Sequence, residues 1–318
     1  MNKNYKIIII GFGSIGQRHY HNLVKLGYQN IDVYDIDFKK VKSAGARAIE
    51  KISPKSLRDY KIALICNPNN LHLPAAIKCA QAGCHLFIEK PLSHNLAGIS
   101  QLIKICRKKK LITMVGCNMR FHPSLSFIKK YLEQKRLGKI YGIAHEFGYF
   151  LPYWRPGQDY RKNYAARRST GGGIILDDMH EFDLLFWLNN FQPVDEVNFI
   201  FNNSGALQIA TEDNCLASFQ FKNKVLGLVK CDYLQQAYSR KCKIVGAKGN
   251  LDWDFKENIV WLKTQDKNKN IFEIKNFNFN QVYINEVKYF LNCVKNNEPT
   301  FNDIKTAATV LKYCVNKK

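Results

Sequence analysis

Residues 6–16 read Lys6-Ile7-Ile8-Ile9-Ile10-Gly11-Phe12-Gly13-Ser14-Ile15-Gly16: a short apolar run that opens directly into glycines spaced G-x-G-x-x-G. The spacing has a physical purpose. Gly11 permits the tight turn leaving a strand, Gly13 lets the backbone approach a pyrophosphate, and Gly16 lets the following helix pack closely on that strand. The pattern predicts a helix over Ser14–Leu26, with Ile15, Leu23 and Leu26 available to face a sheet and Gly27 as terminator. Phosphates would rest on the unpaired N–H groups at its start.

A second apolar run, Ile31 to Tyr34, ends at Asp35, 19 residues beyond Gly16. A carboxylate about 20 residues past the glycines can accept hydrogen bonds from the ribose hydroxyls of the adenosine half. Asp35 has no adjacent arginine to receive a 2′-phosphate, which favours NAD over NADP, while Lys39 and Lys40 keep NADP open.

The chain has 318 residues, 46% hydrophobic and 13% aromatic, enough for two domains and a sizeable core. No apolar run is long enough to span a bilayer, and Met1-Asn2-Lys3-Asn4-Tyr5 leads into the first strand without a signal-peptide core, so a cytoplasmic location with no membrane contact is expected. Ten cysteines lack C-x-x-C pairs or zinc spacing and read as reduced core residues, with no metal site. The formal charge of +22 is spread along the chain in short clusters such as Lys108 to Lys110. That distribution fits solvated lysine faces or attraction of an anionic substrate better than nucleic-acid binding.

Strand and helix patterns alternate through the first 120 residues, as a parallel sheet with helices on both faces requires. Strands are expected at Lys6 to Ile10, Ile31 to Tyr34, Ile62 to Cys66, His85 to Ile88 and Ile112 to Val115. Their carboxyl ends deliver Gly11, Asp35, Asn67-Pro68-Asn69, Glu89-Lys90-Pro91 and Gly116-Cys117-Asn118 to the edge where open α/β sheets bind ligands. Longer strand-like runs follow at Ile140 to Phe150, Val194 to Phe201, Cys215 to Phe221, Val225 to Cys231, Cys242 to Val245 and Ile259 to Leu262, implying a mostly antiparallel sheet. Turns are read at Asn202 to Gly205 and Lys248 to Asn250, and helical patterns around Val282 to Lys295 and Ile304 to Asn316 close the chain.

Three segments could carry chemistry. Lys90 stands just after a strand, where an ammonium can polarise a carbonyl or relay a proton, although a plain surface lysine also occurs at strand ends. After Gly171-Gly172-Gly173, a helix is expected in which Ile175, Met179, Phe182 and Phe186 share one face and Asp177, His180 and Glu181 another. A carboxylate one turn before an imidazole can fix its tautomer, with Asp177 or Asp178 as the candidate; the same pattern also describes a solvated helix face. The segment from Leu151 to Arg161 carries Tyr153, Trp154, Arg155, Tyr160 and Arg161, with Tyr164 and Arg167 beyond. Its aromatic faces and guanidinium forks suit either a sugar-like substrate or a subunit contact.

Taken in order, Gly11-Phe12-Gly13-Ser14-Ile15-Gly16, Asp35, Asn67-Pro68-Asn69 with His72, Glu89-Lys90-Pro91, Asn118-Met119-Arg120-Phe121 with Pro123, and the triple glycine with Asp177, His180 and Asp183 resemble the Gfo/Idh/MocA oxidoreductases. The resemblance covers most of the chain. It implies a Rossmann domain over residues 1–120 and an α+β domain with an open-faced, mostly antiparallel sheet over 121–318, assembled through that sheet face into a homodimer or homotetramer. It implies NAD(P) held by Gly11, Phe12, Gly13, Ser14, Ile15, Gly16, Asp35, Asn67, Pro68, His72, Glu89, Lys90 and Asn118. Lys90 would be the catalytic lysine and His180 the proton-transferring histidine, with Asp177 beside them; Arg120, Tyr153, Trp154, Arg155, Tyr160, Arg161 and Arg167 would meet the substrate. Many members place three residues between the aspartate and the histidine, whereas two stand here, a form similar to a subgroup linked to bacterial surface-sugar biosynthesis. The implied reaction interconverts a secondary alcohol and a ketone on a sugar, sugar acid, cyclitol or nucleotide sugar. A dinucleotide- or sugar-sensing regulator without turnover is the alternative, and a reductase of a non-carbohydrate a third.

Overall fold

The computed structural model describes residues 4–316 and divides into two compact units, residues 4–118 with 279–315 and residues 119–278 with 316. In the first unit β1 (Ile7–Ile10) leads through α1 (Ser14–Lys25) to β2 (Ile31–Tyr34), and α2 (Phe38–Ser43) to the short β3 (Arg47–Ala48). Then come β4 (Ile62–Ile65), α3 (Asn69–Ala82), β5 (His85–Glu89), α4 (Ile99–Lys108) and β6 (Thr113–Gly116). All strand pairs are parallel, in the order β3-β2-β1-β4-β5-β6. The residues of β1, β4, β5 and β6 are buried throughout, as a sheet covered on both faces demands, which is why these strands read as unbroken apolar runs. The order reverses at β1, placing a ligand crevice at the strands' carboxyl ends.

The second unit begins with α5 (Pro123–Glu133) and β7 (Ile140–Gly148), followed by α6 (Leu151–Trp154), α7 (Ile174–Asp177) and α8 (Met179–Leu188). Seven strands follow: β8 (Val194–Asn202), β9 (Asn214–Phe221), β10 (Leu226–Asp232), β11 (Ser239–Gly246), β12 (Gly249–Asp254), β13 (Ile259–Lys263) and β14 (Asn268–Glu273). The sheet order is β14-β13-β12-β11-β7-β10-β9-β8, antiparallel except where β7 and β10 run parallel. One face packs on α8, with Phe182 and Phe186 against Phe199, Phe219 and Phe221. The other leaves Leu216, Leu226, Leu228 and Val245 exposed.

The last two helices, α9 (Asn280–Asn296) and α10 (Ile304–Val315), belong to the first unit, so the second domain expected over 121–318 ends at 278. The cause is the outer edge of β6. Val115 donates its N–H to the Asn302 carbonyl at 2.9 Å, Asn302 Nδ2 donates to the Val115 carbonyl at 2.8 Å, and Thr300 Oγ1 donates to the Thr113 carbonyl at 2.6 Å, so the returning chain caps an edge that would otherwise be open. Phe290 of α9 meets Phe87 of β5 edge-on at 5.7 Å.

Two buried histidines make the second unit acid-sensitive. Burial pulls the pKa of His122, enclosed by Trp253, Phe255 and Phe277, and of His145 from 6.5 down to about 4. Between those values the unfolded chain binds protons that the folded one refuses, so stability is full above pH 6.5 and falls as pH drops toward 4. At pH 5 each histidine should cost about 2 kcal/mol relative to pH 7.5. Urea unfolding at the two pH values checks this, and His122→Phe should remove one histidine's share of the loss.

Candidate functional site

At the carboxyl edge of the parallel sheet the three glycines are distinguished by what a Cβ would meet. At Gly11, with φ +96°, it would lie 2.4 Å from the Asn67 nitrogen; at Gly16, 2.0 Å from the Gly11 carbonyl oxygen. At Gly13 it would meet nothing within 4 Å. Gly11 and Gly16 are therefore fixed by the fold, while Gly13 keeps open a space beside the start of α1, where Ser14, Ile15 and Gly16 begin the helix without any side-chain cap. That cradle fits a pyrophosphate. A variant pair tests the distinction. Gly13→Ala, at φ −65°, should fold normally and lose NADH affinity by at least about tenfold, whereas Gly16→Ala should lower the unfolding midpoint. NADH fluorescence titration and urea unfolding read the two effects.

Asp35 ends β2 with its carboxylate accepting the N–H of Phe12 and, at 2.8 Å, that of Asp37. Its remaining lone pairs suit ribose hydroxyls. Asn118, 4% exposed, keeps its Oδ1 buried without a partner among the described residues, a condition a bound ligand relieves. Pro68 is exposed and Asn67 half-buried beside Gly11. The His72 ring is buried, and both nitrogens lie 2.7 Å from carbonyl oxygens, Nδ1 from Pro91 and Nε2 from Asn67. Burial lowers its pKa, opposed by those two bonds. Glu89 is likewise buried, its Oε1 2.5 Å from His19 Nε2. Lys90 follows Glu89, half-buried, and is joined to Pro91 by a cis peptide bond.

In the second unit the triple glycine is required by close packing. A Cβ at Gly172 would lie 2.3 Å from the Tyr164 carbonyl oxygen, and one at Gly173 2.5 Å from Glu212 Oε1. The single helix expected through Asp177, His180 and Glu181 is broken at Asp178, with φ −107° and ψ 43°. The break follows from where the carboxylates go. Asp178 is buried and takes Arg240 Nη2 at 2.8 Å, and Glu181, fully buried, takes Arg240 Nε at 2.8 Å. Asp177 accepts from three tyrosine hydroxyls, Tyr149 at 3.2 Å, Tyr233 at 2.9 Å and Tyr164. Burial, and then the Asp177 charge, push the Tyr149 and Tyr233 pKa values well above the ordinary phenol value, so both remain donors. His180 follows the break, half-buried.

The expected substrate residues divide. Arg120 is buried, its guanidinium gripping Asp183 at 2.7 and 2.6 Å against the rings of Phe191 and Trp187, so its fork is committed within the protein rather than offered to a ligand. Tyr153 and Trp154 are exposed on α6, Trp154 lying 4.3 Å from Tyr149 and thus one ring away from Asp177. Arg155 and Tyr160 are half-buried; Arg167 is exposed, as is Arg161, which pairs with Asp159 at 2.8 Å. Tyr149 and Tyr233 were not foreseen. Tyr149 adjoins the aromatic segment and could have been read with it; Tyr233, 56 residues beyond Asp177, left no signal.

The family model described as the oxidoreductase family, NAD-binding Rossmann fold (Gfo/Idh/MocA), matches residues 5–117, and that of the Gfo/Idh/MocA C-terminal domain matches residues 126–252. Myo-inositol 2-dehydrogenase of Thermotoga maritima is 27% identical over 314 residues, covering 92% of this chain and 89% of its own. Scyllo-inositol dehydrogenase of Lactobacillus casei, solved with NAD(H) and scyllo-inositol, superposes with a TM-score of 0.80 at 20% identity, over 98% of this chain and 95% of its own. UDP-N-acetylglucosamine 3-dehydrogenase of Acidithiobacillus ferrooxidans gives 0.81 at 19%, over 98% and 96%. These two structures share the fold.

Proposed function

The chain belongs to the Gfo/Idh/MocA oxidoreductase family, and from that premise we propose that it is an NAD-linked dehydrogenase interconverting a secondary alcohol and a ketone on a sugar, sugar acid, cyclitol or nucleotide sugar. The observation that carries the reading is the open space at Gly13 beside an uncapped helix start, with Asp35 and Lys90 at other strand ends of the same sheet. Bound NAD supplies the two-electron acceptor for the alcohol carbon. Gly11, Gly13 and Gly16 with the first N–H groups of α1 hold the pyrophosphate, and Asp35 the adenosine ribose; its negative charge disfavours a 2′-phosphate. Lys90 Nζ takes up the hydroxyl proton in oxidation and returns it to the ketone oxygen in reduction. His180, in the second unit, is the second residue proposed to carry a proton. Asp177 accepts from the hydroxyls of Tyr149, Tyr164 and Tyr233 and so holds that tyrosine cluster in place.

The exposed face of the second unit's sheet, with Leu216, Leu226, Leu228 and Val245, is read as the surface on which a second copy docks. Sedimentation should show a dimer or tetramer, reduced in size by Leu228→Glu. No helix among the described residues is long and apolar enough to cross a membrane, and the ten cysteines, all buried, suit a reducing cytoplasm.

The test is a cofactor-reduction screen of myo-inositol, scyllo-inositol, levoglucosan and UDP-N-acetylglucosamine, among a wider set of polyols, with NAD and NADP in parallel. Turnover with NAD on at least one is expected. NADH binding with no turnover on any would replace this reading with that of a sensor.

A further inference from the structure

Lys90 is flanked by two residues, each held by a buried histidine from a different helix. On its amino side, Glu89 lies 2.5 Å from Nε2 of His19, a fully buried α1 residue whose ring is packed edge-on against Phe87 at 5.1 Å and Tyr283 at 6.2 Å. On its carboxyl side, the Pro91 carbonyl lies 2.7 Å from Nδ1 of His72, an α3 residue 2% exposed. A carbonyl oxygen only accepts, so that contact requires an N–H on Nδ1, and a neutral ring then has no N–H left for its other nitrogen. The opposite nitrogen of the same ring faces the Asn67 carbonyl at 2.7 Å, and the Asn67 backbone is what presses on Gly11. One ring thus touches both the strand end that bears the lysine and the loop that shapes the cofactor turn.

We propose that His19 and His72 are positioning residues for Lys90: His19 holds the Glu89 side chain on one side of it, and His72 holds the Pro91 carbonyl on the other through its Nδ1 N–H. The proposal rests on the function assigned above to Lys90. Neither histidine need touch substrate. Their effect is on where the Lys90 ammonium sits, and proton-handling groups tolerate little displacement, a shift of about 1 Å being enough for roughly a hundredfold loss.

The two nitrogens separate by substitution. Asparagine places its amide nitrogen near the position of Nδ1, and glutamine near that of Nε2. His72→Asn should keep the Pro91 bond and lose the Asn67 contact; His72→Gln should do the reverse. The expected result, with the polyol oxidised fastest in the screen above, is a kcat lowered about 10- to 100-fold in His72→Gln with NADH affinity within about threefold, and a kcat within about threefold of the parent in His72→Asn. His19→Leu should lower kcat about tenfold and His19→Gln restore it, again with NADH binding retained. Equal kcat losses in His72→Asn and His72→Gln, unchanged kcat in both, or losses that track NADH affinity overturn the proposal. So does loss of cooperative urea unfolding in the His72 variants, which would make the ring a structural strut. Lys90→Ala measured alongside distinguishes the failures: full turnover in Lys90→Ala sinks the functional reading itself, whereas an inactive Lys90→Ala beside fully active histidine variants sinks only this inference.

Discussion

Lys90→Ala should lower kcat by about a hundred- to ten-thousand-fold, the span that a positioned general acid or base contributes, while leaving NADH affinity within about threefold of the parent. The split follows from where the groups sit. The side chains and backbone proposed to hold the cofactor belong to the turn after β1 and the end of β2, with Gly13 open and Asp35 braced by the N–H groups of Phe12 and Asp37. Lys90 comes at the end of β5, two places along the sheet from β1. Truncating it removes the ammonium without disturbing the glycine turn. Lys90→Arg sharpens the assignment, because a guanidinium can polarise a carbonyl but does not release its proton near neutral pH. Both directions should then be slow, since oxidation and reduction pass through one transition state and each moves the proton at Lys90. Steady-state rates in both directions, with NADH titration by fluorescence, decide the matter; a Lys90→Ala enzyme that oxidises its substrate at the parental rate would exclude the mechanism.

The division between what sequence conveys and what it hides follows physical lines. The nucleotide half was legible because most of its parallel strands are short, mainly apolar and buried, and are followed closely by a residue of a different kind: Gly11, Asp35, Asn67, Lys90. Local periodicity also revealed α9 and α10 as helices, but an amphipathic stripe does not say which sheet will receive it, so their return to the β6 edge stayed hidden. Strand β12 was missed because Gly249, at φ +127°, gives the strand's first residue the signature of a turn. Strand β14 was missed because its residues are largely exposed and polar. In the second unit, the break at Asp178 carries no proline or glycine. It arises from a buried pairing with an arginine 62 residues away, which no local window contains. The tyrosines around Asp177 come from 13, 28 and 56 residues away, and Arg120 pairs with Asp183, 63 residues on.

Arg240→Met should cost about 3–5 kcal/mol of stability, the usual consequence of stranding buried charge. Arg240 lies on β11 with its guanidinium divided between Asp178 and Glu181 and stacked 4.1 Å from Phe147. Removing it leaves two carboxylates, 4% and 0% exposed, without their shared cation. Methionine retains much of the arginine stem's packing, so the loss can be assigned to charge rather than to a cavity. Arg240→Lys should recover only part of it, because one ammonium cannot reproduce a planar fork reaching two carboxylates. The combined change Arg240→Met with Asp178→Asn and Glu181→Gln should be more stable than Arg240→Met alone, since it removes the stranded charges along with their partner. His180 lies between those two carboxylates in the chain, so the same cation that stabilises the second unit also fixes the helix start that carries the imidazole. Urea unfolding at pH 7.5 should therefore rank parent, Arg240→Lys and Arg240→Met in descending stability. At 10 °C, where Arg240→Met is still folded, its kcat should fall while NADH affinity is retained; if stability falls and kcat does not, the arginine holds the unit together without placing His180.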